Sequence, residues 1–232
     1  MRRSWVEIVA LLFGCVLLAS QAVAQDPRQN EPGKFDFYLL ALSWSPSFCE
    51  QAGERQGAQQ QGGQQQGAQL QCAAERPYSF VVHGLWPQYE KGFPEFCQNP
   101  APRLDRNIVS SMLDLMPAPR LIFREWDKHG VCSGLPARGY FETVRKARAA
   151  VKIPAEFLEP KTALNVTPDE VEEAFVKANP GMNRAGIAVT CGSTRLNEVR
   201  ICLSRDLKFR DCAEVDRRAC RRDKLVMPPV RG

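Results

Sequence analysis

Leu121-Ile-Phe-Arg-Glu-Trp-Asp-Lys-His-Gly-Val-Cys132 packs Arg124, Glu125, Lys128 and His129 into six residues between apolar side chains. Helical spacing puts Glu125, Lys128 and His129 at i, i+3 and i+4, so one face carries a carboxylate, a permanent cation and a titratable imidazole. The spacing predicts a helix over 121–129, ended by Gly130. Each residue also has a plainer explanation. A Glu–Lys pair at i, i+3 is commonly a surface ion pair worth a few tenths of a kcal/mol, and Trp126 fits a core position.

The second histidine of the chain is His83, in Phe80-Val-Val-His-Gly-Leu-Trp-Pro87. Residues 78–84 read as a strand, with Phe80 and Val82 on one face and Val81 with His83 on the other. Gly84 is expected to let the chain turn into a loop that runs through Trp86-Pro87 and Gly92-Phe93-Pro94 to Cys97. Upstream, Phe35 to Ser45 is aromatic and apolar and is closed by Pro46, the pattern of a buried strand. Downstream, Leu104, Ile108, Met112 and Leu115 have helical spacing, stopped by Pro117 and Pro119. A basic amphipathic helix is expected over 138–151, with Tyr140, Phe141 and Val144 inward. Thr167-Pro168-Asp169-Glu170 is a capping box with Pro at the first helical position, starting a helix to about Ala178. Asn165-Val166-Thr167 is also a glycosylation sequon. Strands follow at 187–191 and 198–203, and the Pro-rich basic tail from Arg217 is expected at the surface.

Composition bounds the rest. The chain has 232 residues, 44% apolar, with four Trp and twelve Phe, enough for a real core. Arg2-Arg3, the apolar run 8–18 and Ala22-Val23-Ala24 form an export signal, so residues 1–24 are expected to be removed. A membrane anchor fits less well because the run is short, and a lipoprotein site at Cys15 fits poorly with Phe13. Cleavage lowers the basic count from 31 to 29 and the acidic count from 26 to 25, a net +4. That balance suits a polyanionic partner. Eight cysteines then remain, which behind an export signal reads as four disulfides. Zinc is disfavoured because no Cys-x-x-Cys pair occurs. Residues 50–71, dominated by Gln, Gly and Ala, read as a disordered insertion within a single domain over 25–232.

His83-Gly-Leu-Trp-Pro87 and Glu125-Trp-Asp-Lys-His-Gly-Val-Cys132 resemble the two active-site segments of the ribonuclease T2 family. Phe37–Cys49 and Leu196–Cys202 resemble its first and a late strand. The resemblance implies an α+β fold, a central antiparallel sheet flanked by helices, and a secreted or periplasmic endoribonuclease that needs neither metal nor other cofactor. By that resemblance His129 is the general base, His83 the general acid, and Glu125 and Lys128 stabilise the phosphorane on the way to a 2′,3′-cyclic phosphate. It also implies the pairs Cys49–Cys72, Cys97–Cys132, Cys191–Cys220 and Cys202–Cys212. The partner would be single-stranded RNA, bound by a monomer without membrane attachment.

The chain departs from the family at Arg124, where many members have a phosphate-binding histidine. Arginine binds phosphate bidentately at any relevant pH, so a less acidic optimum is expected. Trp86 and Phe93 are candidates for stacking on a base and Gln88 for bonding its edge, with weak selectivity because stacking tolerates any base. Core packing explains Phe93 equally well. Two other classes remain: a non-catalytic RNA-binding or signalling protein on this fold, which would not need both histidines, and a metal-dependent phosphodiesterase, which would need a ligand cluster that the sequence does not display.

Overall fold

The computed structural model describes residues 26–58, 71–72 and 78–230. The segment expected to be an export signal, residues 1–24, and residues 59–70 of the insertion lie outside the described residues. Four strands, β1 (Phe37–Trp44), β2 (Phe80–Gln88), β4 (Ile187–Cys191) and β5 (Leu196–Leu203), form an antiparallel sheet in the order β2-β1-β5-β4. A second, two-stranded sheet pairs β3 (Leu164–Val166) with β6 (Leu225–Met227). The helices are α1 (Ser45–Ala58), α2 (Arg106–Met112), α3 (Pro119–Lys128), α4 (Ala137–Ala149), α5 (Pro168–Ala178) and α6 (Ala213–Arg217).

Period-two alternation divides the sheet. On one face Tyr38, Leu40, Leu42 and Trp44 of β1, Phe80, Val82 and Leu85 of β2, and Val199, Ile201 and Leu203 of β5 join a core completed by Ile122, Trp126, Tyr140, Phe141, Val144 and Phe175 from the helices. The inward residues expected for α4 are therefore buried, and Trp126 is core. On the other face Phe37 and Leu39 pack with Cys202, Cys212, Trp86 and Val215 in a smaller cluster. Central β1 is consequently buried on both sides, which its unbroken run of aromatic and aliphatic residues permits.

Strand β2 corrects the turn expected at Gly84. Ala41 pairs with Gly84 but Leu42 pairs with Val82, so His83 is an extra residue in a β-bulge. The bulge sets His83 and Gly84 together opposite Ala41, on the face that Trp86 shares, while Leu85 returns to the core. The strand then runs on to Gln88. Pro87 is tolerated because β2 is the edge strand of this sheet.

Helix α3 begins earlier than expected, with Pro119 in its first turn, where the fixed φ favours entry and no N–H is needed. Pro119 thus starts α3, and α2 ends at Met112. Gly130 does not stop α3; the chain continues into a 3-10 turn, Gly130–Ser133, ended by Gly134 at φ 74°. Gly130 is needed for packing instead, since a Cβ there would lie 2.5 Å from Trp126 and 2.9 Å from Tyr140. The capping box on α5 forms as expected.

Two further expectations change. Helix α1 carries the chain through Ala58, so the first part of the insertion is helical rather than disordered. Its side chains have partners: Arg195 bonds Glu50 at 2.9 Å and Glu54 at 2.6 Å, and Gln51 donates to Asn197 at 2.9 Å. The tail is not simply surface, because Leu225, Met227 and Val230 are buried and Trp44 Nε1 donates to Pro228 O at 3.0 Å. All four disulfides form: Cys49–Cys72, Cys97–Cys132, Cys191–Cys220 and Cys202–Cys212.

Candidate active site

A cavity of about 480 Å³ lies between the face of the sheet that carries Phe37 and Leu39 and one stripe of α3. Its walls include His83 and Trp86 from β2, Arg124, Glu125, Lys128 and His129 from α3 and its cap, and Arg200 from β5. Both active-site segments therefore meet in one place. Helix α3 accomplishes this by splitting its faces: Ile122 and Trp126 enter the core, while the i, i+3, i+4 stripe turns to the cavity.

The Trp86 indole sits between the imidazoles, with ring centroids 5.2 Å from His83 and 5.2 Å from His129. Trp86 Nε1 donates to Glu125 Oε2 at 2.6 Å, and Glu125 Oε1 lies 3.6 Å from His83 Nε2. A Cβ on Gly84 would fall on Trp86 Nε1 and Glu125 Oε2, so the bulge needs glycine beside His83. The other ring nitrogen, His83 Nδ1, makes a short contact to Glu198 Oε1. Glu198 Oε2 in turn accepts from Arg200 Nε at 3.0 Å and Nη2 at 2.9 Å. Arg200 covers Trp86, its guanidinium carbon 5.3 Å from the ring centroid.

The two imidazoles are driven apart in proton affinity. Burial pushes His129 down, reinforced by the charges of Lys128, His83 and Arg124, to about 3. Its Nδ1 is buried with no hydrogen-bond partner among the described residues. Burial also opposes charge on His83, but the bond and charge of Glu198 and the charge of Glu125 outweigh it and raise the pKa. Burial raises Glu125 despite the nearby His83, Trp86 and cations. Burial would raise Glu198 as well, yet His83 and Arg200 hold it at about 2. One histidine is thus neutral and the other readily cationic, the separation that acid–base pairs require.

The other expected site residues, Lys128, Phe93, Gln88 and Trp86, also line the cavity. Lys128 pairs with Glu95 at 3.4 Å, in place of the i, i+3 pair with Glu125, and lies 5.8 Å from the Phe93 ring centroid. Phe93 is 37% exposed and lines the cavity, so it is not core. Gln88 lines the cavity but its amide nitrogen donates to Pro87 O at 2.9 Å. Trp86 has its N–H committed to Glu125 and one face near Arg200, so its first task here is to organise the site. Sequence reasoning missed Glu198 and Arg200. Their signal was an acidic and a basic residue two apart, hence on one face, of a strand whose other residues from Val199 onward are apolar. It also missed α6, which borders the cavity through Glu214 and Val215, with Arg218 just past its end; Glu214 accepts from Gly92 N at 2.9 Å.

The α+β fold thus gathers two imidazoles, a buried carboxylate and several cationic side chains around one cavity. The family model "Ribonuclease T2 family" matches residues 35–212, and the chain belongs to that family and is an enzyme of the ribonuclease T2 type. It is 31% identical over 189 residues to "Probable ribonuclease" of Haemophilus influenzae, covering 79% of this chain and 63% of that protein. It is 30% identical over 203 residues to "Ribonuclease" of Aeromonas hydrophila, covering 85% of each. Among solved structures, "RNase-related protein from Calystegia sepium" matches with TM-score 0.65 at 21% identity, covering 84% of this chain and 98% of that one. That likeness concerns the fold.

Proposed function

We propose that the protein is a metal-independent endoribonuclease that cleaves single-stranded RNA by transesterification, leaving 2′,3′-cyclic phosphate ends. The observation that carries this is the pair of imidazoles on either side of Trp86, one held neutral and one favouring its charged form. Neutral His129 takes the proton from a 2′-hydroxyl, and the 2′-oxygen attacks the adjacent phosphorus. Protonated His83 delivers its proton to the departing 5′-oxygen. The nucleophile belongs to the substrate, so no metal-bound water is called for.

Negative charge growing on the phosphoryl oxygens meets Lys128 and Arg124 on the same wall. Arg124 binds the phosphate bidentately. Glu125, raised by burial, donates a hydrogen bond to a phosphoryl oxygen in its protonated form and steadies His83 in its ionised form. Phe93 stacks on a base and Gln88 bonds a base edge with its remaining polar atom, so base preference is weak. The export signal and four disulfides support a secreted or periplasmic location, and the protein acts as a monomer. Among the described residues no helix is long and apolar enough to cross a membrane.

The test is His83→Ala and His129→Ala on a single-stranded RNA, with binding measured separately on an analogue carrying a 2′-deoxy residue at the scissile position. Both variants lose cleavage by at least about 100-fold and still bind the analogue. Retained cleavage in either variant overturns the assignment.

A further inference from the structure

We infer that Glu198 is the positioning residue for His83, fixing which ring nitrogen exchanges its proton and how readily it holds that proton. The inference rests on the acid role proposed above for His83. An ionised carboxylate only accepts hydrogen bonds, so the short contact between Glu198 Oε1 and His83 Nδ1 requires the proton on Nδ1. That leaves Nε2, which lies 3.6 Å from Glu125 Oε1 on the cavity wall, as the nitrogen that gains and loses a proton.

Glu198 is itself held in place. It is 8% exposed, Arg200 forks onto Oε2, and Ser43 Oγ donates to Oε1 at 3.3 Å. These contacts close a circuit: Glu198 binds Arg200, Arg200 covers Trp86, Trp86 donates to Glu125, and Glu125 faces His83 again. His83 sits on a β-bulge at the edge of the sheet, where the strand ladder alone orients it poorly. The carboxylate from β5, two strands away, supplies the orientation. The charged groups that bear on His83 are Glu125 from α3 and Glu198 and Arg200 from β5, with the carboxylates favouring the imidazolium and Arg200 opposing it.

The chain has two histidines, so both imidazoles can be followed by long-range proton–nitrogen correlation NMR on the full, oxidised protein, with His129→Ala giving the assignment. Glu198→Gln keeps the shape and removes the charge, leaving Arg200 uncompensated. The titration midpoint of His83 then falls, and the alkaline limb of kcat/KM moves with it to lower pH by about one unit or more, as expected for loss of an adjacent opposite charge. Arg200→Met, read by NMR alone, moves the midpoint the other way, and it tests the inference even if Glu198→Gln does not fold. A midpoint unchanged in Glu198→Gln, or lowered in Arg200→Met, overturns the inference. The NMR titrations stand without any cleavage assay, so a wild-type protein inactive on RNA would refute the proposed function and leave this result readable.

Discussion

Acidification should draw down the share of the protein's stability that His129 supplies. The unfolded chain protonates this imidazole near its ordinary value of 6.5, whereas burial among cations delays protonation of the folded state to about 3. A neutral buried histidine of this kind leaves stability intact above pH 6.5 and costs stability as pH falls toward 3. Between pH 7.5 and 4.5 the linkage amounts to roughly 2–3 kcal/mol, about a 100-fold change in the unfolding constant. Glu125 and Glu172 have the opposite sign in this range, because burial raises both and their protonation in the folded state relieves it as pH falls. Glu198, held at about 2, loses its contribution only below its ordinary value of 4.5. His83, raised, contributes fully below 6.5 and loses its part as pH climbs through its folded value. Comparing wild type with His129→Gln cancels these common effects. The assay is urea unfolding with disulfides intact, followed by tryptophan fluorescence at pH 7.5 and 4.5. Wild type should lose roughly 2–3 kcal/mol more than the variant over that interval. Parallel losses would refute the claim that His129 is neutral when folded, and with it the basis for its role as base.

Further outcomes follow from other contacts. Gly84→Ala puts a methyl group on the Trp86–Glu125 hydrogen bond, so kcat should fall about 100-fold with an unchanged far-UV spectrum; activity within twofold of wild type would show that the bulge tolerates a side chain. Arg124→His should shift the optimum of kcat/KM to lower pH and raise KM above about pH 6.5, where the imidazole loses its charge; an unchanged profile would remove Arg124 from phosphate binding. Replacing Cys97 and Cys132 together by serine frees a loop closed over 35 residues and should cost about 4 kcal/mol in urea unfolding.

Much of this architecture was legible in the chain, and the illegible parts share a cause. The α3 stripe could be read from spacing because i, i+3 and i+4 neighbours are fixed by local geometry. Local sequence likewise sufficed for the apolar run that buries β1 and for the capping box at Thr167. The bulge at His83 could not be read, since it exists only in the register against Ala41 and Leu42. Glu198 is 115 residues from His83 and becomes its partner only when β5 joins the sheet. The plainer alternative, a Glu125–Lys128 ion pair, is not what forms: Lys128 pairs with Glu95 on a loop, while Glu125 is drawn into the interior by Trp86 and His83. Helix α1 extends into a glutamine-rich stretch because Arg195 and Asn197 offer partners across the fold. The disulfide pairing was available only through family resemblance, because eight cysteines admit 105 connectivities.

The most direct test of the two-histidine account is cleavage of a defined single-stranded RNA in excess EDTA across pH 4–8, with the product ends identified by mass spectrometry, for wild type, His83→Ala and His129→Ala. The account predicts 2′,3′-cyclic phosphate ends from wild type at undiminished rate in chelator, and none from either variant. Cleavage abolished by EDTA, or cyclic ends persisting without either histidine, would contradict it.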